Sequence, residues 1–399
     1  MNHPENRGNM GKIDHDAVLR ARVQLLGSGR LRLLEQVHAY RVLAEVSPKA
    51  YLPKLVDALL SMSYRSRDPE VDVTLTAEAV EAARRIEAGA PTRAERLCRA
   101  LDAYQAALFA LGRRPEGHAA CEEMAEAGQS GRLANILAEE GRFREAAELN
   151  EKAARNGTPE HSFWNMVEWA ANLEGAGLHD AASGVFGELL DQTRRKAAEQ
   201  RTALAILTWE LVHLSRMREA AGQGADAAAT RREALTVLEE LATTGEPKNW
   251  SCILAWWVTL FALSGRVGEP AASAEFPMPP FGTDLRWTSG TRDAFLGTLP
   301  GLETKAAGLR RAGRLPELVD VQRRISIRAA LREGNHPYRF GERFKPYFDE
   351  GVALARRLPD DPARLARALT DRSMFLVAAR TFEPAYADFA EAVALVHAP

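Results

Sequence analysis

Apolar residues recur at i, i+3, i+4 and i+7 along most of the chain, and strict apolar–polar alternation over strand-like runs is hard to find. Leu369, Ser373, Leu376 and Ala379 fall on one face of such a segment, and Ala385, Phe389 and Ala392 on one face of the next. Ala, Leu, Glu and Arg dominate these stretches, and all four are strong helix formers. The pattern breaks at Gly or Pro: Gly112, Gly141, Gly157–Pro159, Gly177, Gly224, Gly245–Pro247, Gly265, Gly313–Pro316, Pro359 and Pro384. Segments between breaks run roughly 12 to 25 residues, the range of globular helices or a little above it. Many short helices joined by tight glycine turns fold as antiparallel pairs. The sequence therefore predicts an all-α chain.

The punctuation also repeats. Residues 139–153 read EEGRFREAAELNEKA and residues 175–189 read GAGLHDAASGVFGEL, so that Gly177, Ala182 and Phe186 answer to Gly141, Ala146 and Asn150. A period near 34 residues with a small residue early in the second helix is the tetratricopeptide pattern. Its physical need is a glycine at the helix end and a small side chain where the two helices cross. The chain resembles the tetratricopeptide repeat family at several further places. Segment 98–127 gives Gly112, Gly117, Cys121 and Met124; segment 210–243 gives Gly224 and Ala229; segment 366–397 gives Ala385, Phe389 and Ala392, with Arg380 in place of the turn glycine. Segments 14–48 and 49–88 resemble degenerate pairs. The turn glycines stand at unequal intervals, so an α-solenoid with lengthened helices fits as well as a strict array. A compact multi-helix bundle is the alternative.

The resemblance implies a right-handed superhelical solenoid of helix pairs whose first helices line a concave groove. Carried over position by position, the groove residues are Arg99, Asp102, Phe109, Asn135, Trp164, Val167, Glu174, Thr259 and Met374. Chaperone-binding members of the family hold a terminal carboxylate with Lys, Asn and Arg at such positions. Asn135 matches in type, but no flanking basic series accompanies it, so no carboxylate clamp is expected. Trp256 and Trp257 fall mid-helix, Trp257 at a buried inter-helix position.

One stretch interrupts the helical pattern. RVGEPAASAEFPMPPFGTDLRWTSG, 266–290, carries Pro270, Pro277, Pro279 and Pro280, which cannot sit in a helix interior. Phe276, Phe281 and Trp287 give it apolar anchors, so it is expected to pack across the helices and not to hang as a linker. The expected organisation is a disordered polar tail at 1–13, a tetratricopeptide-like helical array at 14–265, this insertion at 266–290 and a second such array at 291–397.

Composition narrows the function. Of 399 residues, 52 are Lys or Arg and 54 Asp or Glu, a formal net charge of -2, without the basic excess that phosphate neutralisation requires of a nucleic-acid binder. No apolar window approaches the ~20 residues of a membrane span. Cys98, Cys121 and Cys252 are too few and too scattered for a disulfide framework or a zinc site, and read as buried thiols of a cytoplasmic protein. Neither nucleic acid nor membrane is an expected partner.

Catalytic signatures are weak throughout. None of the nine histidines stands in HExxH, and His118 with Cys121 makes only a lone i, i+3 pair. GSGRLR at 27–32 and GQGADA at 222–227 follow helices and lack the phosphate-loop Lys-Ser/Thr. The acidic pairs Glu122–Glu123, Glu239–Glu240 and Asp360–Asp361 read as solvated surfaces and caps. RRISIRAALR, 323–332, stands out because it contains no acidic residue; Arg323, Arg324, Arg328 and Arg332 there could meet an acidic partner. The expectation is a non-enzymatic, cofactor-free scaffold that binds a partner protein or peptide. The alternative is a sensor whose solenoid binds a signalling peptide or small ligand and controls a separate effector chain. An enzyme would need a deep cavity lined by residues such as His213, Glu210 and Arg218.

Overall fold

The computed structural model describes residues 14–26, 31–156, 159–246, 253–280, 287–333 and 340–397. They are α-helical nearly throughout, with no strand among the described residues. The chain divides into two compact units, Met1–Leu133 and Ala134–Pro399. The proline-rich stretch 266–290 falls within the second unit.

The first unit contains α1 (His15–Leu26), α2 (Leu33–Val46), α3 (Pro48–Ser63), α4 (Pro69–Arg84), α5 (Arg93–Ala110) and α6 (Arg114–Glu126). Proline at the first turn starts α3 and α4, where its missing N–H costs nothing, and Asp68 caps α4 by accepting from the Glu70 N–H at 3.0 Å. Each helix packs on the next, and Val56, Leu59, Ala79, Leu101 and their neighbours form one continuous core. Gly117 fills the small crossing position in α6 for a concrete reason. A Cβ there would lie 2.9 Å from the Phe109 ring.

Helix α7 (Gly131–Glu139) spans the division. The second unit continues with α8 (Phe143–Asn156), α9 (Pro159–Gly175), α10 (His179–Glu199), α11 (Leu204–Ala220), α12 (Gly224–Thr244) and α13 (Ile253–Gly265). After the insertion come α14 (Ser289–Gly297), α15 (Leu299–Arg311), α16 (Leu315–Glu333), α17 (Phe340–Ala355), α18 (Pro362–Ala378) and α19 (Phe382–His397).

The hairpin turns share one geometry. At Gly141, φ is 78°; its N–H bonds the Ala138 carbonyl, and the Arg142 N–H bonds the Leu137 carbonyl at 2.8 Å. That is the six-to-one and five-to-two closure of a glycine-terminated helix. In the α11–α12 turn the left-handed residue is Gly222, with φ 77°, and Gly224 is instead the first residue of α12. The register shifts accordingly. Ala227, fully buried, takes the crossing position assigned to Ala229. Gly265 is likewise not a left-handed turn, its φ being -93°; it is small because Ile327 of α16 closes on it. Arg380 does hold the left-handed turn of α18–α19 at φ 61°, and its guanidinium reaches back to the Glu246 carbonyl and carboxylate.

Asn150 occupies a position where Phe186 stands one hairpin later, and it is buried because it is paired. It accepts from Asn172 at 2.8 Å and donates to Glu168 at 3.3 Å.

Not all packing follows chain order. Helix α19 packs on α12, and α13 contacts α11, α16 and α18. Trp257 sits at the centre, 1% exposed, ringed by Phe261, Phe344, Phe348 and Phe375 with centroids 5.7–6.4 Å away. The largest core cluster draws on helices from α8 to α19, and Leu302, Leu309, Leu318 and Leu354 of α15–α17 form a separate one.

Candidate functional site

Of the expected groove residues, Arg99, Asp102 and Phe109 belong to the first unit and the others to the second. Arg99 pairs with Asp57 at 3.3 Å, and Asp102 accepts from Gln105 on its own helix. Phe109 is buried against Gly117. Asn135, Val167 and Thr259 are buried inside the second unit. Trp164 is half-buried and stacks on Trp256 at 4.6 Å, joining α9 to α13. Glu174 is turned inward onto Arg216 at 2.9 Å and Arg266 at 3.8 Å. Burial acts to raise its pKa, but the two guanidiniums outweigh that and hold it below the ordinary carboxylate range. Met374 is the member that lines a cavity.

The acid-free run of α16 finds its acidic partners within the chain. Arg324 and Arg328 both grip Glu269, whose side chain is 1% exposed; the Arg328 contacts are 2.7 and 2.9 Å. Arg328 also donates to the Thr298 hydroxyl at 2.7 Å and lies 3.9 Å over the Phe295 ring. Arg323 engages Asp371 at 2.6 Å and both oxygens of Ser264. Of the four arginines, Arg332 faces solvent.

Glu269 belongs to the insertion, so this clamp ties the insertion down. Further along, the Met278 N–H bonds the Glu139 carbonyl at 2.9 Å, and the Glu139 carboxylate accepts from the Thr288 N–H, the Thr288 hydroxyl and Thr291. Trp287 is buried as expected. Phe276 is not an anchor: it is 74% exposed, while the backbone of its loop, at Ala272, closes on Gly141. Phe281 lies outside the described residues, as does Cys252; Cys98 and Cys121 are buried thiols.

The α11–α13 and α18–α19 packing encloses a cleft of about 290 Å³. Its floor is apolar and deep: Trp209, Trp257, Leu260, Met374, Phe389 and Ala392 are all buried. Its mouth carries exposed residues, Glu219 from α11, Ala363 and Arg367 from α18, and Val396 from α19. Helical periodicity explains the split, because α18 presents Ala366, Thr370 and Met374 inward at four-residue steps while Ala363 and Arg367 reach the edge.

Charged groups in the cleft wall are held in pairs. Arg231 meets Glu219 at 3.0 Å, Arg323 meets Asp371, and Arg216 meets Glu174, which is not itself in the wall. His213 is buried, tilted against the Phe186 ring at 5.0 Å, and 3.3 Å from Arg216. Burial, then the charges of Arg216 and Arg266, push its pKa well below 6.5, so it is a neutral ring that accepts from Arg216. Of the three residues named for an enzymatic cavity, His213 alone lines this one. Arg218 bonds Thr230, and Glu210 is buried away from the cleft. The deep cleft is a feature that sequence reasoning missed.

No protein-family model matches the chain, and no curated protein is significantly similar to it. Among the described residues no helix is long and apolar enough to cross a membrane, and no cluster of His, Cys, Asp and Glu could hold a metal ion.

Proposed function

We propose that this is a non-enzymatic recognition protein of the sensor class. In this reading its helical hairpins stack in the manner of the tetratricopeptide-like solenoids, and the second unit receives the apolar part of a small ligand. A separate partner protein would read the outcome from the helices around the cleft. The observation that carries the reading is the buried aromatic floor of Trp209, Trp257 and Phe389 beneath a mouth open to solvent. Ligand sites are concave, mostly apolar and furnished with a few convergent polar groups. The volume is about twice the roughly 150 Å³ that suffices for benzene, which suits a bicyclic or medium-chain compound. An extended peptide would need a long open groove, and Asn135, Val167 and Thr259 are buried where such a groove was expected. The paired arginines and the weakly basic His213 favour binding over acid–base chemistry.

The test uses 1-naphthol, a neutral bicyclic probe, titrated into the full chain while tryptophan fluorescence is followed. One-to-one saturable quenching is expected, lost in Ala392→Leu and in Ala366→Leu, each of which adds a side chain to the floor. Undiminished binding by both variants would remove the cleft from the account.

A further inference from the structure

The cleft also has a polarity of its own. Its wall presents four guanidiniums, Arg216, Arg231, Arg323 and Arg367, against two carboxylates, Glu219 and Asp371. Glu174 and Asp320, which hold Arg216 and Arg367, are not in the wall. The neutral His213 adds no charge.

Donor capacity is in surplus as well. A guanidinium carries five N–H groups. Arg323 commits its Nε to Asp371, its Nη2 to Asp371 and the Ser264 hydroxyl, and one Nη1 hydrogen to the Ser264 carbonyl. One Nη1 hydrogen is left over. Arg216 spends Nη1 and Nη2 on Glu174 and His213, and its Nε, which has no acceptor among the described residues, is buried out of reach of the cleft. Ser264 is the wall hydroxyl that accepts from Arg323, while it donates to the Phe261 carbonyl. Buried donors without acceptors are costly, and the missing group is one with oxygen lone pairs.

We infer that the cleft is selective for an amphipathic monoanion, a carboxylate on an apolar body of about ten carbons, with its oxygens turned to Arg323. This rests on the cleft being the ligand site. The apolar body lies on the Trp209 and Phe389 floor, and the carboxylate takes the spare Arg323 Nη1 hydrogen without displacing Asp371. Hydrogen bonds to charged groups are the strong kind, so the carboxylate should improve affinity about tenfold or more over an alcohol of equal length. A cation of the same length should bind worst.

Calorimetric titration of the full chain with decanoate, decanol and decylammonium, each below its micelle concentration, tests this. The expected order is decanoate first by about tenfold or more, decanol next and decylammonium last, with one-to-one stoichiometry and loss of binding in Ala392→Leu. Decanol or decylammonium binding as tightly as decanoate, still abolished by Ala392→Leu, would overturn the anion preference and leave the cleft in place. No binding by any of the three, or binding that Ala392→Leu leaves intact, would overturn the cleft reading with it.

Discussion

The Trp209 indole donates to the Met374 carbonyl at 3.1 Å, joining α11 to α18 across 165 residues of chain. The bond lies in the wall of the cleft and ties the last hairpin to the middle of the second unit. Trp209→Phe keeps most of the apolar contact but removes the donor and leaves space where the indole was. A loss of about 1–2 kcal/mol is expected in chemical denaturation. Weaker 1-naphthol binding should accompany it. An unchanged midpoint would mean that the bond contributes nothing to holding α18 in place.

Glu269 and Arg328 form a bidentate pair inside the protein, with side chains 1% and 2% exposed. Breaking one side of such a pair leaves a charge buried without its partner, at a cost of about 3–5 kcal/mol. Glu269→Gln should therefore destabilise strongly. It should also raise the protease sensitivity of the 269–280 segment, which the pair anchors. Exposed pairs such as Arg310–Glu350 provide the contrast, since Arg310→Ala is expected to cost about 1 kcal/mol or less.

Gly141 and Gly177 hold the same left-handed turn, with φ 78° and 76°, but in different surroundings. Around Gly177 there is open space, whereas a Cβ on Gly141 would run into the Ala272 carbonyl of the insertion. Gly177→Ala is expected to cost about 1 kcal/mol for the strained backbone alone. Gly141→Ala should cost clearly more, because backbone must also move. Equal losses in denaturant midpoint would show that the insertion does not press on this turn.

Much of this was legible in the sequence, and the limits are physical. The helix hairpins are local: a left-handed glycine, a small residue five positions on and a large one beyond are all written within one pair of neighbouring helices. One register was misread, at Gly224, because GQGADA contains two glycines and only Gly222 closes the helix. The cleft is a different matter. It exists because α19 packs on α12 and α13 on α16 and α18, contacts between segments far apart in the chain that no local pattern encodes. Glu269 shows the same limit. RRISIRAALR invites an acidic partner, and its identity depends on where a proline-rich loop comes to rest.

Glu210 and His213 should give opposite pH dependences. Burial, only partly offset by Thr193 and the charge of Lys196, pushes the Glu210 carboxyl up to about 8 from an ordinary 4.5. Its folded form holds a proton that the unfolded chain has released, so stability falls as pH rises from 4.5 to 8, by about 1.4 kcal/mol per unit. For His213 the folded pKa is depressed below 6.5, so its contribution is complete above 6.5 and is lost as pH falls. The window free of His213 is therefore pH 6.5 to 8. There the wild-type melting temperature should drop with pH, and Glu210→Gln should flatten the curve. Parallel slopes for both proteins would exclude Glu210 as the cause.

The most direct measurement is a crystal structure of the full chain soaked with 4-bromo-1-naphthol, read from the bromine anomalous signal. A single strong peak between Trp209 and Phe389 is the result that the cleft reading predicts. Bromine found only on the outer surface, with the aromatic floor unoccupied at saturating ligand, would contradict it.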